Sequence, residues 1–255
     1  MYRGPSLRLD AHRGTVHCLA VGVDAPFTLV ADGREHTVRS ALIPPLTTHR
    51  VVAHGTSMLF CYLDPGSPRA PRCRERMTAH AGAGIGVAHA AEERLIALAA
   101  QPLFDPVAAV ELACGSPAPT VDPRISAAMA TMLADPADPH AAAELARAAH
   151  LSASRFLRLF NAQSGTTFRR YRLWARMLGV GRAVAAGADL TTAAADAGFA
   201  SPSHFSDTFH AMCGLTAGSL LAAGTRLVVL DPARAGGAPA PIRRSRSPIA
   251  ASGRS

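Results

Sequence analysis

Lysine is absent from the sequence: all 26 basic residues are arginine, and against 18 acidic residues they leave a net charge of +8. Because abundant Ala, Gly and Pro accompany this bias, a GC-rich genome explains it as well as selection does, and the total identifies no function. The position of the charge is more informative. Residues 147–182 contain eight arginines and no acidic residue, a distribution that favours a polyanionic partner over a neutral metabolite.

The five cysteines are odd in number and include no Cys-x-x-Cys pair, which argues against a disulfide framework and a zinc site. The N-terminal residues show no signal-peptide pattern and no apolar run approaches ~20 residues, so we expect a cytoplasmic protein with no membrane partner. Catalytic motifs are missing as well. The glycines Gly82, Gly84 and Gly86 lack the Lys-Ser or Lys-Thr of a phosphate loop, and no Ser, His and Asp set has supporting context. We predict a non-enzyme without cofactors, and a flexible connection at these glycines.

Short apolar runs between turn formers predict a small antiparallel β-sandwich or barrel near the N-terminus. The predicted strands span residues 15–23, 27–31, 41–43, 51–53 and 58–63, with a turn at Asp32 and Gly33. Residues 69–76 are predicted to be an exposed loop, and helical periodicity follows from Ala90 and over residues 106–114. Three Pro and one Gly within residues 115–123 mark a domain boundary.

The strongest signal is an internal repeat with an offset of 49 residues. The recurring positions are Ser152, Phe156, Phe160 and Gly165, which return as Ser201, Phe205, Phe209 and Gly214. Each copy has a short Ala-rich helix, a tight turn, a Ser cap, a helix with aromatics at i and i+4, and a closing Gly. This order predicts two helix-turn-helix units.

In the second helix of the first copy, the apolar residues fall on one side at 100° per residue. Ser154, Arg158 and Asn161 fall on the other side, with Arg155 at its edge. We predict that this polar face enters a major groove of double-stranded DNA. The best candidates for base contacts are Ser154, Arg155 and Arg158, together with Ser203 of the second copy, and Arg155 is also placed to reach a phosphate.

In the second copy, Thr191 or Thr192 is expected to cap the short helix, and Ser201 the helix after it. Residues 168–186 form a connecting helix between the copies, in which Gly179 and Gly181 are expected to allow a kink. Its arginines position this connector or meet phosphates. The candidate DNA-binding residues are Ser154, Arg155, Arg158, Asn161, Arg169, Arg170, Arg172, Arg176, Ser201, Ser203, His204 and Asp207.

These residues resemble the double helix-turn-helix domain of the AraC/XylS family of bacterial transcription regulators. The resemblance covers residues 124–222 and is carried by the strings ELARAAHLS (144–152), FLRLF (156–160), AGF (197–199) and SPSHFSDTF (201–209), with Tyr171, Arg176, Cys213 and Gly214. It implies a sequence-specific DNA-binding transcriptional regulator, and it implies that the N-terminal half is a cupin-like effector or dimerisation domain.

The predicted chain is therefore α+β, with an N-terminal cupin-like β-sandwich or barrel domain followed by an all-α double helix-turn-helix domain. The predicted divisions are residues 1–115 for effector binding or dimerisation, 116–123 as a linker, 124–223 for DNA binding and 224–255 as a disordered tail rich in Arg, Pro and Ser. The implied partners are DNA, a small-molecule effector, RNA polymerase if the protein activates, and a second copy of the chain.

Asp207 departs from the family, which usually has a basic residue there, and Arg158 occupies the equivalent place in the first copy. An Asp repels phosphates, although it can accept a hydrogen bond from cytosine N4. Residues 183–230 carry one Arg and three acids. We therefore expect the first unit and the connector to provide most of the affinity for DNA, and the second unit to add selectivity or little.

Two histidines, His36 and His49, are candidates for an effector pocket rather than a metal site, because the region lacks the His-x-His, Glu and later His of metal-binding cupins. Two alternatives remain open from the sequence. One is a metal-dependent cupin enzyme with an accessory helical domain; the other is a degenerate regulator that acts through protein contacts.

Overall fold

The computed structural model describes residues 1–65, 67, 69–115, 121–222 and 226–227, and consists of an antiparallel β part followed by a helical part. The strands are β1 (Tyr2–Pro5), β2 (His17–Gly22), β3 (Phe27–Ala31), β4 (Arg34–Val38), β5 (Ser40–Ile43), β6 (His49–Ala53), β7 (Ser57–Leu63), β8 (Met77–His80), β9 (Gly86–His89) and β10 (Arg226–Leu227). The helices are α1 (Arg69–Glu75), α2 (Glu92–Ala100), α3 (Pro106–Cys114), α4 (Pro123–Ala134), α5 (Ala142–Ala148), α6 (Ala153–Ser164), α7 (Phe168–Ala185), α8 (Leu190–Asp196), α9 (Pro202–Cys213) and α10 (Ala217–Ala222).

Two sheets face each other in the β part, in the orders β10-β1-β7-β2-β5-β9-β8 and β4-β3-β6. Phe27 and Leu29 of the small sheet share a core with Ala20 and Phe60 of the large one. On the outer face of the large sheet, Leu19 and other residues pack against α1, α2 and α3. Strand β2 is buried along its whole length because both of its faces are covered. The α+β class and the β-rich N-terminal domain are thus confirmed.

The turn predicted at Asp32 and Gly33 is confirmed as the hairpin turn between β3 and β4. Both residues have positive φ, 49° and 70°, which gives the twist that joins two antiparallel strands through a two-residue loop. Strand β4 itself escaped prediction because it is an edge strand whose side chains are largely exposed, so its sequence carries no apolar alternation.

The loop predicted at residues 69–76 is wrong, because this segment is helix α1. Its Pro71 lies in the first turn, where a missing N–H costs nothing, and Ala70 and Cys73 are buried three residues apart. The three glycines predicted to form a flexible connection lie in a β-hairpin. Gly82 and Gly84 lie in the turn between β8 and β9 with positive φ, 79° and 72°, and Gly86 begins β9, where a Cβ would lie 2.6 Å from Met77 Cγ of the paired strand β8.

The helical part confirms the 49-residue repeat. Ser152 and Ser201 cap α6 and α9, and Gly165 and Gly214 end these helices in the left-handed conformation, with φ of 64° and 73°. Helix α7 runs without interruption through Gly179, where a Cβ would lie 2.9 Å from Pro136 Cγ. The missing side chain at Gly179 allows Pro136 to pack closely against α7. The kink that we expected is therefore not needed to explain a glycine at this position.

The β part docks directly on the helical part. Val16 belongs to the same apolar core as α4, α6 and α7. At the end of α9, the Asp10 and Arg13 amides donate to the carbonyls of Gly214 (2.8 Å) and Ala211 (3.0 Å). The His210 ring also contacts the Asp10 carboxylate at 3.1 Å. Residues 10–14 thus run along the C-terminal end of the second unit.

The predicted linker and tail lie largely outside the described residues. Within the described part, Pro123 already begins α4, with Asp122 as its cap. Residues 226–227 of the predicted disordered tail form β10, which pairs antiparallel with β1.

Substitution of the two helix-closing glycines by alanine should separate two contributions to the loss of stability, backbone strain and the loss of contact with residues 10–14. Each alanine must adopt positive φ, at a cost of about 1 kcal/mol. At Gly214 the new Cβ would also lie 2.5 Å from Asp10 O, whereas at Gly165 its nearest neighbour is His17 Cε1 at 4.0 Å. We expect Gly214→Ala to lower the free energy of unfolding clearly more, and to expose residues 10–14 to proteolysis. Equal losses in urea unfolding would contradict this docking.

Buried histidines should make the fold acid-sensitive. Burial and the neighbouring His12 lower the pKa of His49 from 6.5 to about 4, and burial and Arg74 do the same for His17. The unfolded chain therefore binds more protons than the folded chain as pH falls from 6.5 to 4, and stability is lost across that interval. We expect His49→Gln to flatten the fall of Tm with pH, and substitution of the exposed His80 to leave it unchanged. A profile that His49→Gln does not alter would refute this assignment.

Candidate nucleic-acid interface and interdomain cavity

Helix α6 is fixed by aromatic packing on its inner side. Phe156 and Phe160 are fully buried. The Phe160 ring packs edge-on against Phe168 (5.4 Å between centroids) and Tyr171 (5.5 Å) of α7. Edge-to-face pairs of this kind add to the stability gained from burial alone. The rotation of α6 about its axis is therefore set by these rings.

The outer side of α6 is accessible. Ser154, Arg155, Arg158 and Asn161 are all exposed, as the periodicity predicted. The Ser152 cap accepts a hydrogen bond from the Arg155 amide, so the helix begins just before this face. Among the described residues, the β part contacts the helical part elsewhere, which leaves the polar surface open to a large ligand.

The connector arginines divide into two groups. Arg169 is exposed, and Arg170 and Arg172 are half-buried. Arg176 instead donates from Nε to the Pro136 carbonyl at 3.3 Å, and burial lowers its pKa. Arg176 therefore positions α7 against the segment between α4 and α5, which is the first of the two roles that the sequence left open.

The second unit has the predicted shape with a different cap. Asp189, rather than Thr191 or Thr192, caps α8 by accepting from the amides of both threonines at 3.0 Å. Asp189 directly precedes the first residue of α8, whereas the caps predicted from the sequence lie within the helix. Ser201 Oγ accepts from the His204 amide at 3.1 Å, which confirms this cap.

The predicted contact residues of α9 are on its outer side. Ser203, His204 and Asp207 are exposed, while Phe205 is buried. The His204 ring lies 5.5 Å from the Phe199 ring. Both units thus present polar faces, but the first is cationic and the second carries an acid.

A largely apolar cavity of about 360 Å³ lies between the β part and the helical part. Both parts line it, with residues such as Leu9, Val16, Phe60, Met129, Met177 and Phe209. This volume falls in the range of small-molecule sites. Sequence reasoning missed the cavity because its walls are ordinary apolar core positions on distant elements, and only the assembled fold reveals the space between them.

The polar groups of the cavity wall include Asp64, Arg69 and Arg182. Asp64 accepts hydrogen bonds from Tyr171 OH (3.4 Å) and Trp174 Nε1 (3.2 Å) of α7. Burial and this carboxylate raise the pKa of Tyr171, so its hydroxyl remains a donor. Arg182 Nη1 donates to the Leu133 carbonyl at 3.3 Å. Two guanidinium groups and one carboxylate thus border a largely apolar space.

The predicted effector residues His36 and His49 do not line this cavity. His36 is half-buried on β4. His49 is buried on β6, with its ring 4.3 Å from that of His12 and Nδ1 bonded to the Thr47 carbonyl. Both belong to the small sheet, whereas the cavity opens beside β1 and β7 of the large one.

Among the described residues, no helix is long and apolar enough to cross a membrane. No group of three or more His, Cys, Asp or Glu in the same part of the chain is arranged to hold a metal ion.

Comparisons with known proteins agree with this geometry. A family model described as a helix-turn-helix domain matches residues 145–223, which include the end of α5 and all of α6 to α10. No curated protein matches the chain.

Among solved structures, the chain is similar to ToxT from Vibrio cholerae. The structure from strain O395 has 11% identity and a TM-score of 0.55, over 87% of this chain and 95% of that one. ToxT bound to an unsaturated fatty acid, from strain SCE256, has 10% identity and a TM-score of 0.51, over 84% and 91%. ToxT bound to (E)-4-(8-methylnaphthalen-1-yl)but-3-enoic acid has 11% identity and a TM-score of 0.54, over 87% and 97%. At these identities the likeness establishes the fold.

The matched domain and its two capped recognition helices identify a helix-turn-helix DNA-binding domain. The match agrees with the sequence resemblance of residues 124–222 to the AraC-type double helix-turn-helix domain.

The difference in charge between the two units predicts opposite effects of two substitutions. Arg158→Ala should weaken operator binding by about 1–3 kcal/mol, as expected for loss of a base contact. Asp207→Arg should tighten binding to unrelated duplexes, because it removes a charge that repels phosphates, and should reduce the preference for the operator, because it removes the acceptor for a base donor. Fluorescence anisotropy with both duplexes measures each change. A harmless Arg158→Ala beside a harmful Asp207→Arg would reverse the assignment of the two units.

Proposed function

We propose that the protein binds operator DNA mainly through α6 and α7, with α9 contributing selectivity, and that a small amphipathic molecule in the interdomain cavity controls this binding. The observation that carries the DNA part is the exposed face of α6, where Ser154, Arg155, Arg158 and Asn161 project from a helix fixed by buried rings. A helix presented in this way fits a major groove.

The distribution of charge supports different roles for the two units, affinity for the first unit with the connector and selectivity for the second. The arginines of residues 147–182 have no acid among them, and on α7 Arg169, Arg170 and Arg172 are at least partly exposed. We assign these three to phosphates and Ser154, Arg155 and Arg158 to bases or phosphates. Asp207 suits a base donor rather than a phosphate, so Ser203, His204 and Asp207 serve selectivity.

The composition of the cavity suggests the class of effector. Its walls are largely apolar, while Arg69 and Arg182 border it. An apolar molecule with a carboxylate satisfies both features, because guanidinium groups pair well with carboxylates. The two ToxT ligands, an unsaturated fatty acid and a butenoic acid with a naphthalene ring, share this chemistry.

A ligand in this position contacts both parts of the chain and can therefore change their docking. Such a ligand shifts the DNA-binding equilibrium only as far as it binds one arrangement better than the other. We propose that this regulator is not an enzyme, acts in the cytoplasm, forms a homodimer on paired sites and, if it activates, contacts RNA polymerase.

A second candidate function is regulation through protein contacts alone. Asp207 is the observation that favours it, because an acid on an exposed recognition face opposes DNA. Weak, salt-insensitive binding to duplexes would support this alternative.

The effector proposal predicts selective binding of a carboxylate. Oleate should bind the wild-type protein, raise its Tm and change its affinity for operator DNA, whereas oleyl alcohol should bind more weakly. Arg182→Gln and Arg69→Gln should each weaken oleate binding about tenfold or more, since a charged hydrogen bond contributes about 1.5–3 kcal/mol.

Arg50→Gln is the matched control, because Arg50 is exposed on β6 and does not line the cavity. Isothermal titration measures all four proteins. Equal affinities for oleate and the alcohol, or arginine variants that bind oleate like the wild type, would overturn the carboxylate assignment.

A further inference from the structure

A shallow depression beside the recognition helix is lined by Arg124, Arg155, Arg158 and Leu159. Arg124 comes from the start of α4, and the others from α6. We infer that this depression binds a phosphate of the DNA backbone, with Arg124 as a phosphate contact outside the recognition helix. The inference rests on the proposed binding of DNA by the first unit, and it adds a contact that the sequence reading did not include.

Arg124 is held in place before any ligand binds. Its Nε donates to Asp122 Oδ1 at 3.0 Å and its Nη2 to Asp122 Oδ2 at 2.7 Å. Asp122 is in turn tied to α6, because its amide donates to Gln163 Oε1 at 3.1 Å. The orientation of the Arg124 side chain is therefore linked to the recognition helix, and binding an anion costs less side-chain entropy.

The pairing with Asp122 leaves part of the guanidinium available. The two hydrogen bonds use the Nε–H and one N–H of Nη2, which together form one edge of the planar guanidinium group. The end edge, formed by Nη1 and the second N–H of Nη2, is the other surface through which arginine binds two oxygens of one phosphate. Among the described hydrogen bonds, none uses Nη1 of Arg124.

The charge of the depression remains positive when the ion pair is counted. The hydrogen bonds from Arg124 lower the pKa of Asp122 to about 2, so Asp122 is ionised at neutral pH. One carboxylate then stands against three guanidinium groups, which leaves two positive charges at the mouth of the depression. An exposed, open site with this charge suits a backbone phosphate, which approaches from solvent.

The amides at the start of α4 are not the source of this site. Asp122 accepts from the Arg124 amide at 3.0 Å and so occupies the helix N-terminus itself. The depression instead lies at the flank of α6, the position from which a helix seated in the major groove meets the bordering phosphates. A phosphate contact there would set the depth and register of α6 without reading sequence.

The test compares Arg124→Gln with Arg94→Gln, which removes the same charge from an exposed position on α2 in the β part. Anisotropy titrations with the operator and an unrelated duplex are run over a range of salt. We expect Arg124→Gln to weaken binding to both duplexes by the same factor, about three- to tenfold, and to reduce the salt slope by about one. Arg94→Gln should match the wild type.

Arg124→Lys keeps the positive charge but removes the guanidinium group that can bind two oxygens at once. This variant should recover the wild-type salt slope. Wild-type affinity and slope in Arg124→Gln, together with weakened binding in Arg158→Ala, would overturn the phosphate site and leave the proposed function standing. Failure of the wild-type protein to bind any duplex at low salt would overturn both.

Discussion

The burial of Phe156 and Phe160 against α7 is the constraint on which the DNA-binding surface depends. These two rings and their partners Phe168 and Tyr171 fix α6 in rotation, so that Ser154, Arg155, Arg158 and Asn161 face outward. The polar face is therefore a consequence of the core. The second unit repeats the arrangement less tightly, since Phe205 is buried while Phe209 is only half-buried beside the cavity.

Tyr171 connects the packing of α6 to the cavity in which we propose that the effector binds. Its ring packs on Phe160, its hydroxyl donates to Asp64 of the β part, and it lines the cavity. A molecule in the cavity therefore touches a residue that also supports the recognition helix. At the other end of the interface, residues 10–14 hold the end of α9 through backbone hydrogen bonds. The two units are thus connected to the β part at different points.

The helical domain could be predicted closely because its signals are local. The Ser caps, the aromatics at i and i+4 and the closing glycines each act within one turn of helix, and the structure confirms them. Local signals also explain the misplaced cap of α8, since Asp189 and the two threonines are all good capping residues. In the β part, by contrast, β1 contains Gly and Pro and is a strand only because β7 and β10 flank it.

The cavity and the arginine depression could not be predicted in the same way, because both depend on residues far apart in sequence. Nothing around Arg124 marks it as a neighbour of Arg155, and nothing in β7 shows that Phe60 and Phe209 border one space. The histidines illustrate the reverse problem. His36 and His49 are polar residues in an apolar region, which suggests a ligand, but packing alone explains His49.

Site-specific photo-crosslinking shows whether the outer face of α6 contacts DNA. A photoreactive side chain is placed at position 154 on α6 and, as a control, at position 93 on the exposed side of α2. With operator DNA bound, we expect crosslinks to the duplex from position 154 and none from position 93. A bound duplex that crosslinks from position 93 and not from position 154 would contradict this expectation.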